Sequence, residues 1–367
     1  MAVSRCDGGR GGTHEHLDAS SAMFFPTFMR TRQLVRVGAF CLAAAGLASA
    51  TYQTLASARD RRRYPPPGEL VDIGGRRLHL WRVGEGSPVV VVAPSLGEPG
   101  YGWAEIQRRL AQHTTVILYD RVGLGWSDPG PWPTGRRMVA DLHALLEAAG
   151  VPPPYVLVGH SVGGLLMRLY QATHPEQVAG LVLVDSSHPD QERRLRVHGW
   201  RLSWPRWRLR WWLRIGRSAV RPLGWVRLGA RGAEIPAHLQ RGLLPEVAEG
   251  AMAMRLSTRE HRADMREMAA FPSLAAEVGR TAPSTPGSLG RLPLVVISRD
   301  ANTDLPWPPE AEAVWQELQA ELPLLSERST HLHAAVGDHF VHRADPDLVV
   351  RAIAELVDQV RSAQPAP

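Results

Sequence analysis

The residues with the clearest chemical signature lie in a short glycine-rich segment around Ser161. The segment reads Gly159-His160-Ser161-Val162-Gly163. An apolar run, Tyr155 to Val158, precedes it, and a helix-like stretch from Gly163 to Thr173 follows it. Glycines at these positions permit a sharp strand-to-helix turn with strained geometry at the serine. The segment therefore predicts a nucleophilic serine at a helix N-terminus, where backbone N–H groups and the helix dipole favour developing negative charge.

A serine hydroxyl is a poor nucleophile until a positioned base removes its proton. His339 is one candidate for this role, and it follows a short β-like run and precedes the last helix-like stretch. His331 and His333 fall inside the apparent strand, and His342 is a rival by proximity. Asp338 precedes His339 and is interpreted as a modulator of the base rather than its partner.

Short apolar runs alternate with helix-like stretches along the chain. The β-like runs are Leu70–Ile73, Leu78–Trp81, Val89–Val92, Val116–Leu118, Tyr155–Val158, Leu181–Val184 and Leu294–Ile297. The helix-like stretches are Trp103–Gln112, Met138–Ala149, Gly163–Thr173, Glu310–Leu322 and Asp347–Val360. Continuous β-branched runs indicate strands covered on both faces, and the alternation predicts an α/β fold with a mainly parallel, doubly wound sheet. The first two runs, joined through Gly74-Gly75, predict an antiparallel edge hairpin.

With these elements in place, residues 69 to 360 resemble the α/β-hydrolase superfamily. Besides the turn at Ser161, the run Asp120-Arg121-Val122-Gly123-Leu124-Gly125-Trp126-Ser127 is similar to the D-R-x-G-x-G-x-S segment of many members. The resemblance covers both esterase- or lipase-like and proline iminopeptidase-like branches. It implies the chain order nucleophile, acid, histidine, which agrees with His339 as the base.

The resemblance also implies an oxyanion hole made by two backbone N–H groups. One donor is Val162, which follows the nucleophile. The other belongs to the loop Pro94-Ser95-Leu96-Gly97, which departs from the usual His-Gly pair. Alignment on a Gly-x-Gly variant selects Leu96, whereas counting from the strand selects Ser95.

The acid of the triad has several candidates. Most members of the superfamily place it a few residues beyond the strand Leu294–Ser298, where this chain has Asn302, flanked by Asp300 and Asp304. Another branch takes it from the end of the preceding strand, which here gives Asp185. We expect Asp185 to be the acid, with Asp304 and then Asp300 as alternatives.

The N-terminal region reads as three segments that precede the catalytic domain. Residues 1–33 are expected to be a flexible extension, 34–56 a signal or membrane anchor, and 57–68 a linker. A basic stretch precedes an apolar run here, which is typical of export signals, but the run is short for a full membrane span. The protein is therefore expected to be membrane-anchored or exported, and we favour an extracytoplasmic catalytic domain.

The hydrolase core is expected over 69–187 and 286–362, with a helical cap over 188–285, because this insertion is far longer than an ordinary connection. Its first part, Trp200 to Arg231, combines tryptophans and arginines. Trp204, Trp207 and Trp211 recur on one helical face. This face either packs on the core as an acyl pocket or lies at a lipid surface, with arginines toward anionic headgroups.

Composition narrows the function further. Hydrophobic residues make up 44% of the chain and charged residues 21%, as in folded globular proteins. The net charge of +6 is concentrated in arginines beside the cap tryptophans, so we read it as a local surface and expect no nucleic-acid partner. Cys6 and Cys41 both precede the catalytic domain, so no disulfide framework is expected, and neither a metal nor a cofactor is needed.

These patterns predict a serine hydrolase that cleaves a carboxylic ester of an apolar small molecule or lipid through an acyl-enzyme. The alternatives are an aminopeptidase or amidase on the same triad, and a membrane-tethered binding protein that has lost catalysis. The resemblance implies that epoxide hydrolases and dehalogenases of this fold carry aspartate in place of the serine, so Ser161 argues against these activities.

Overall fold

The computed structural model describes residues 21–197, 216, 221–229, 243–301 and 307–363. The strands are β1 Glu69–Asp72, β2 Arg77–Val83, β3 Val89–Ala93, β4 Val116–Tyr119, β5 Tyr155–His160, β6 Val178–Val184, β7 Leu294–Ser298 and β8 Ser329–His333. The α-helices of the core are α2 Ala104–Leu110, α3 Gly135–Ala148, α4 Val162–Thr173, α9 Pro309–Glu321, α10 Val341–Ala344 and α11 Pro346–Ala363. The N-terminal helix is α1 Ser21–Arg63, and the helices between β6 and β7 are α5 Gln191–Val197, α6 Trp225–Gly229, α7 Pro245–Arg255 and α8 Thr258–Thr281.

The strands form one sheet in the order β1-β2-β4-β3-β5-β6-β7-β8. Strands β3 to β8 run parallel, whereas β1 and β2 pair antiparallel at one edge. Gly74 and Gly75 close the edge hairpin with φ values of 93° and 90°, which glycine adopts without steric cost. The predicted mainly parallel sheet with an antiparallel edge hairpin is confirmed.

Helices cover both faces of this sheet, as the apolar strands require. In β3, Val89 and Val91 belong to a buried cluster with residues of α3 and α4. Val90 and Val92 belong to a second cluster, with residues of α2 and α11. Successive side chains of a strand point to opposite faces, so a strand between two helical layers is apolar at every position. The carboxyl ends of the parallel strands lie together at one edge of the sheet, where ligands bind in folds of this type.

The N-terminal region differs from the expected segmentation. Among the described residues, those up to Thr51 and those from Tyr52 onward belong to two compact units. Helix α1 begins at Ser21, inside the segment expected to be flexible, and it ends at Arg63, so the segment 57–63 is helix rather than linker. The arginines at the end of the helix do not interrupt it, because arginine has high helix propensity and favours the last helical turn. Within it, residues Gln33–Arg63 are long and apolar enough to cross a membrane.

The cap helices occupy the insertion between β6 and β7. Helices α7 and α8 lie in the part of the insertion expected to be helical, and Ser257 caps α8 by accepting the N–H of Glu260 at 3.1 Å. The stripe of Trp204, Trp207 and Trp211 lies outside the described residues, so both of its interpretations stay predictions. In the second unit, Arg227 of α6 donates to Gln53 at 3.1 Å and pairs with Asp60. The C-terminal end of α1 thus contacts the cap.

Candidate active site

Ser161 occupies a strained turn between β5 and α4. Its backbone has φ 54° and ψ −122°, a conformation that non-glycine residues rarely adopt. The turn also forces close backbone contacts, since a Cβ added to Gly163 would lie 1.9 Å from the carbonyl oxygen of Ala93. Only glycine fits there. The structure therefore places Ser161 at the carboxyl edge of the sheet and at the N-terminus of α4, as the G-x-S-x-G pattern predicts.

His339 and Asp185 are brought together although 154 residues separate them. Nδ1 of His339 lies 2.6 Å from Oδ2 of Asp185, at the end of β6. A carboxylate at this distance holds the imidazole proton on Nδ1 and leaves Nε2 as the acceptor. Nε1 of Trp315, in α9, donates to the other oxygen of Asp185 at 2.9 Å.

The carboxylate of Asp185 is completely buried, so its charge needs compensation. Burial by itself would raise the pKa of Asp185, but His339, Arg299 and Trp315 together lower it below the ordinary value of 3.8. Nε of Arg299 lies 3.3 Å from Oδ2 of Asp185. Arg299 is in turn held by both carboxylate oxygens of Glu312, at 2.5 and 2.7 Å. Asp185 is thus an anion inside a buried, alternating chain of charges.

A backbone contact joins the histidine loop to the serine turn. Nε2 of His160, the residue before Ser161, donates to the carbonyl oxygen of His339 at 2.9 Å. The His160 ring is fully buried, and burial lowers its pKa below 6.5. A neutral His160 in this position fixes the backbone of His339 next to the turn that carries Ser161.

In the loop after β3, the backbone N–H of Leu96 lies between two N–H groups that donate hydrogen bonds to glutamates. The N–H of Ser95 donates to Oε2 of Glu98 at 3.1 Å, and the N–H of Gly97 donates to Oε2 of Glu267 at 2.8 Å. Leu96 lies between them. This geometry favours Leu96 over Ser95 as the oxyanion donor of this loop, and Val162 begins α4 directly after Ser161.

A buried ion pair between the core and the cap holds the same loop. Arg121, from the D-R-x-G-x-G-x-S segment, donates to the carbonyl oxygens of Pro94 at 3.0 Å and Ser95 at 2.7 Å. It also contacts both carboxylate oxygens of Glu267 in α8, at 2.7 and 2.9 Å. Both side chains are 4% exposed, so the pair is shielded from solvent. Glu267 therefore connects the cap directly to the loop that carries Leu96.

Glu98 is the centre of a second buried cluster that touches several loops. Its carboxylate accepts the N–H of Ser95, pairs with Arg343, and lies 3.5 Å from Nδ1 of His160 and 3.5 Å from Nε2 of His342. Burial would raise the pKa of Glu98, but Arg343 and the two histidines lower it well below 4.5. Glu98 therefore links the loop after β3, the serine turn and the histidine loop.

The remaining candidates that the structure describes make other contacts. Asp304 and Asn302 are outside the described residues, and the N–H of Asp300 donates to the carbonyl of Val336 at 2.9 Å. Nε2 of His331, in β8, lies 2.8 Å from Oγ of Ser298. Asp338 accepts the N–H of Phe340 at 2.9 Å, which is a local turn contact. The rings of His342 and Trp103 are stacked, with centroids 4.1 Å apart.

Comparison with known proteins agrees with this architecture. A family model described as alpha/beta hydrolase fold matches residues 88–230. An AB hydrolase superfamily protein from Gibberella zeae is 31% identical over 115 residues, which are 30% of this chain and 36% of that protein. The chain spans 16% to 38% of the length of four curated relatives that it matches.

Solved structures with the same fold cover more of the chain. An esterase from Thermogutta terrifontis has 22% identity and a TM-score of 0.51, covering 79% of this chain and 97% of its own. The enol-lactonase of Burkholderia xenovorans has 19% identity and a TM-score of 0.53, covering 79% and 100%. The family match over residues 88–230, together with the shared fold, supports membership of the α/β-hydrolase superfamily.

Sequence reasoning did not identify three of the groups that shape this site. Arg299 and Trp315 flank Asp185, and Glu98 joins the loops, yet none belongs to the motifs around Ser161 or Arg121. The only local signal for Glu98 is its place three residues after Ser95, in the loop already singled out. Arg299 directly follows β7, at the carboxyl edge of the sheet where ligand chemistry is expected.

We expect the Glu267→Gln substitution to destabilise the fold by about 3–5 kcal/mol, because it leaves the buried Arg121 guanidinium without its counter-charge. Urea unfolding measures this change in free energy. Glu246→Gln removes an exposed carboxylate of α7 and serves as the matched control, with an expected change within about 0.5 kcal/mol. A loss below about 1 kcal/mol for Glu267→Gln would mean that the pair does not hold the cap to the loop.

We also expect His342 to make the fold acid-sensitive. Burial lowers the pKa of His342 from 6.5 to about 3, so below pH 6.5 the unfolded chain binds a proton that the folded chain does not. Stability is then lost as the pH falls from 6.5 towards 3. His342→Phe keeps an uncharged ring against Trp103 and cannot be protonated.

The variant should therefore gain about 2 kcal/mol relative to the parent protein between pH 7.5 and pH 5, measured by chemical unfolding at both values. His333→Phe makes the same substitution at an exposed position of β8 and serves as the control for the change of side chain itself. Parallel pH profiles for His342→Phe and the parent protein would disprove the assignment.

Proposed function

We propose that the protein is a serine hydrolase that cleaves a carboxylic ester of an apolar small molecule or lipid through an acyl-enzyme. The observation that carries this proposal is the 2.6 Å contact between Nδ1 of His339 and Oδ2 of Asp185. The backbone carbonyl of His339 also accepts a hydrogen bond from His160, the residue before Ser161. The esterase and the enol-lactonase among the solved structures of the same fold support ester chemistry.

In the proposed reaction, Oγ of Ser161 attacks the carbonyl carbon of the ester while Nε2 of His339 takes its proton. The N–H groups of Leu96 and Val162 stabilise the oxyanion that develops on the carbonyl oxygen. The tetrahedral intermediate collapses, the alcohol leaves with the proton from His339, and the acyl group remains on Ser161. Water, activated by His339, then attacks the acyl-enzyme and releases the carboxylic acid and the free serine.

Asp185 has a defined part in this scheme. Its carboxylate stays charged, orients His339 and stabilises the imidazolium that forms in each half-reaction. The lowered pKa of Asp185 supports this role, because the group stays ionised throughout the neutral pH range. Arg299 and Trp315 act as positioning residues for Asp185.

Labelling and turnover together test this assignment. We expect a fluorophosphonate probe to label the protein at Ser161, and Ser161→Ala to abolish both labelling and hydrolysis of p-nitrophenyl esters. Asp185→Asn should lower kcat by about a thousandfold or more, because the amide stabilises the wrong imidazole tautomer. Asp300→Asn and Asp304→Asn are the matched controls and should keep near-parental activity.

The outcomes separate the alternatives. Full activity in Asp185→Asn with a loss in Asp300→Asn or Asp304→Asn would reassign the acid. Turnover of acyl anilides but not of esters would favour an amidase. Failure of the intact protein to label and to hydrolyse any ester of the panel would remove the hydrolase proposal and leave a binding protein.

We further propose that helix α1 anchors the protein in a membrane rather than being removed as a signal. The stretch Gln33–Arg63 has the length and hydropathy of a span, which covers about 20 residues. Cleavage after Ala58 would also remove Gln53, which contacts the nearly buried Arg227 of the cap. Retention of the helix preserves this contact.

Carbonate extraction of membranes from cells expressing the full chain tests the anchor. The protein should stay in the pellet, and its mature N-terminus should lie before residue 33. A control membrane enzyme held only by charge should be released by the same treatment. Release of this chain into the supernatant, with an N-terminus after Ala50 or Ala58, would show an exported protein with a cleaved signal.

A further inference from the structure

A cavity of about 320 Å³ lies on the core side of α8, apart from the triad. We call it the α8 cavity. Its walls come from β4 and the chain that follows it, from the start of α3, and from α8. Its lining includes neither Ser161, His339 nor Asp185.

Arginine is the commonest residue type in the lining of the α8 cavity. Five arginines and two carboxylates face it: Arg121, Arg137, Arg259, Arg262, Arg266, Asp141 and Glu267. Both carboxylates already have a cationic partner, since Glu267 pairs with Arg121, and Asp141 with Arg76. The other four arginines therefore give the cavity an excess of positive charge.

Backbone carbonyls, rather than carboxylates, hold three of these arginines. Arg259 donates to the carbonyl of Gly125, Arg266 to that of Gly130 at 3.2 Å, and Arg137 to that of Trp132 at 2.6 Å. Among the described residues, none of the four arginines forms an ion pair. Nε of Arg259 is buried and has no hydrogen-bond partner in the described part of the chain. The cavity thus offers guanidinium groups whose charge a carbonyl does not neutralise.

The rest of the lining is apolar and rigid. Leu78, Val122, Met138 and Ala263 contribute side chains, and prolines at 129, 131 and 133 form one side. Prolines have a fixed φ, so the backbone of this side is preorganised. A volume of this size is at the lower end of that of small-molecule sites.

From this combination we infer that the α8 cavity binds a small organic anion, with a carboxylate held by Arg262 and Arg266 and an apolar body against Val122 and Met138. Arginine forks match carboxylates in a bidentate geometry, and the apolar body gains from removal from water. The inference is independent of the proposed hydrolysis. Arg121 and Glu267 form the wall that the cavity shares with the loop after β3.

Calorimetric titration tests this site on the full chain carrying Ser161→Ala, so that turnover plays no part. Three probes separate the contributions: octanoate, its neutral analogue octanamide, and inorganic phosphate. Octanoate should bind with one-to-one stoichiometry, and at least tenfold more tightly than either of the other two. Equal binding of octanoate and octanamide would contradict recognition of charge, and equal binding of octanoate and phosphate would contradict the apolar part.

Substitutions locate the bound anion. Arg262→Gln with Arg266→Gln should weaken octanoate binding at least tenfold, whereas Arg262→Lys with Arg266→Lys, which keeps the charge, should lose less. Arg108→Gln is the control, because Arg108 lies in α2, is 61% exposed and is not part of the cavity lining. This variant should bind octanoate as tightly as the parent protein does. Thermal unfolding confirms that each variant is folded. Undiminished binding in the double glutamine variant would overturn the proposal.

Discussion

The site depends on one constraint: the carboxylate of Asp185 is fully buried and must stay charged. A lone carboxylate in an apolar interior would take up a proton instead. Arg299, directly after β7, supplies the counter-charge, Trp315 supplies a hydrogen bond, and His339 supplies the third contact. Helix α9 carries both Trp315 and the Glu312 that holds Arg299. Docking of this helix is therefore a condition for the contact between His339 and Asp185 as well as for the core.

Two other buried carboxylates at the same edge of the sheet also have their charge compensated by an arginine. Glu98 and Glu267 each bind a backbone N–H of the loop after β3, and each is balanced by an arginine from a distant part of the chain. Between these two anchored amides lies the N–H of Leu96. A buried pair contributes little net stability compared with apolar packing, but a broken one is costly. Such pairs fix the positions of loops, because a loop that shifted would leave a buried charge without its partner.

The parts of the structure that sequence could predict are those that depend on local pattern. Continuous β-branched runs predicted the parallel strands, and the strand, glycines and helix around Ser161 predicted the turn. Arg121 belongs to the D-R-x-G-x-G-x-S segment, which the sequence shows. Its partner Glu267 lies 146 residues further along the chain, in the cap, and no sequence pattern connects the two. Asp185 was preferred over Asp304 from family precedent, and its contacts depend on Arg299 and Trp315, which only the fold brings near. Residues 57–63, expected to be part of a linker, are helical because arginines are also good helix formers.

The contact between Glu267 and the loop after β3 limits how freely a cap can be exchanged in a fold of this type. A cap inserted between two strands looks like a module that recombination or engineering can replace freely. Here the replacement would also have to present a carboxylate at the position of Glu267, or Arg121 would be left buried and unbalanced. A chimera with a foreign cap must therefore supply a counter-charge for Arg121. Changes to the cap are expected to be tolerated most readily at residues that contact neither Arg121 nor the loop after β3.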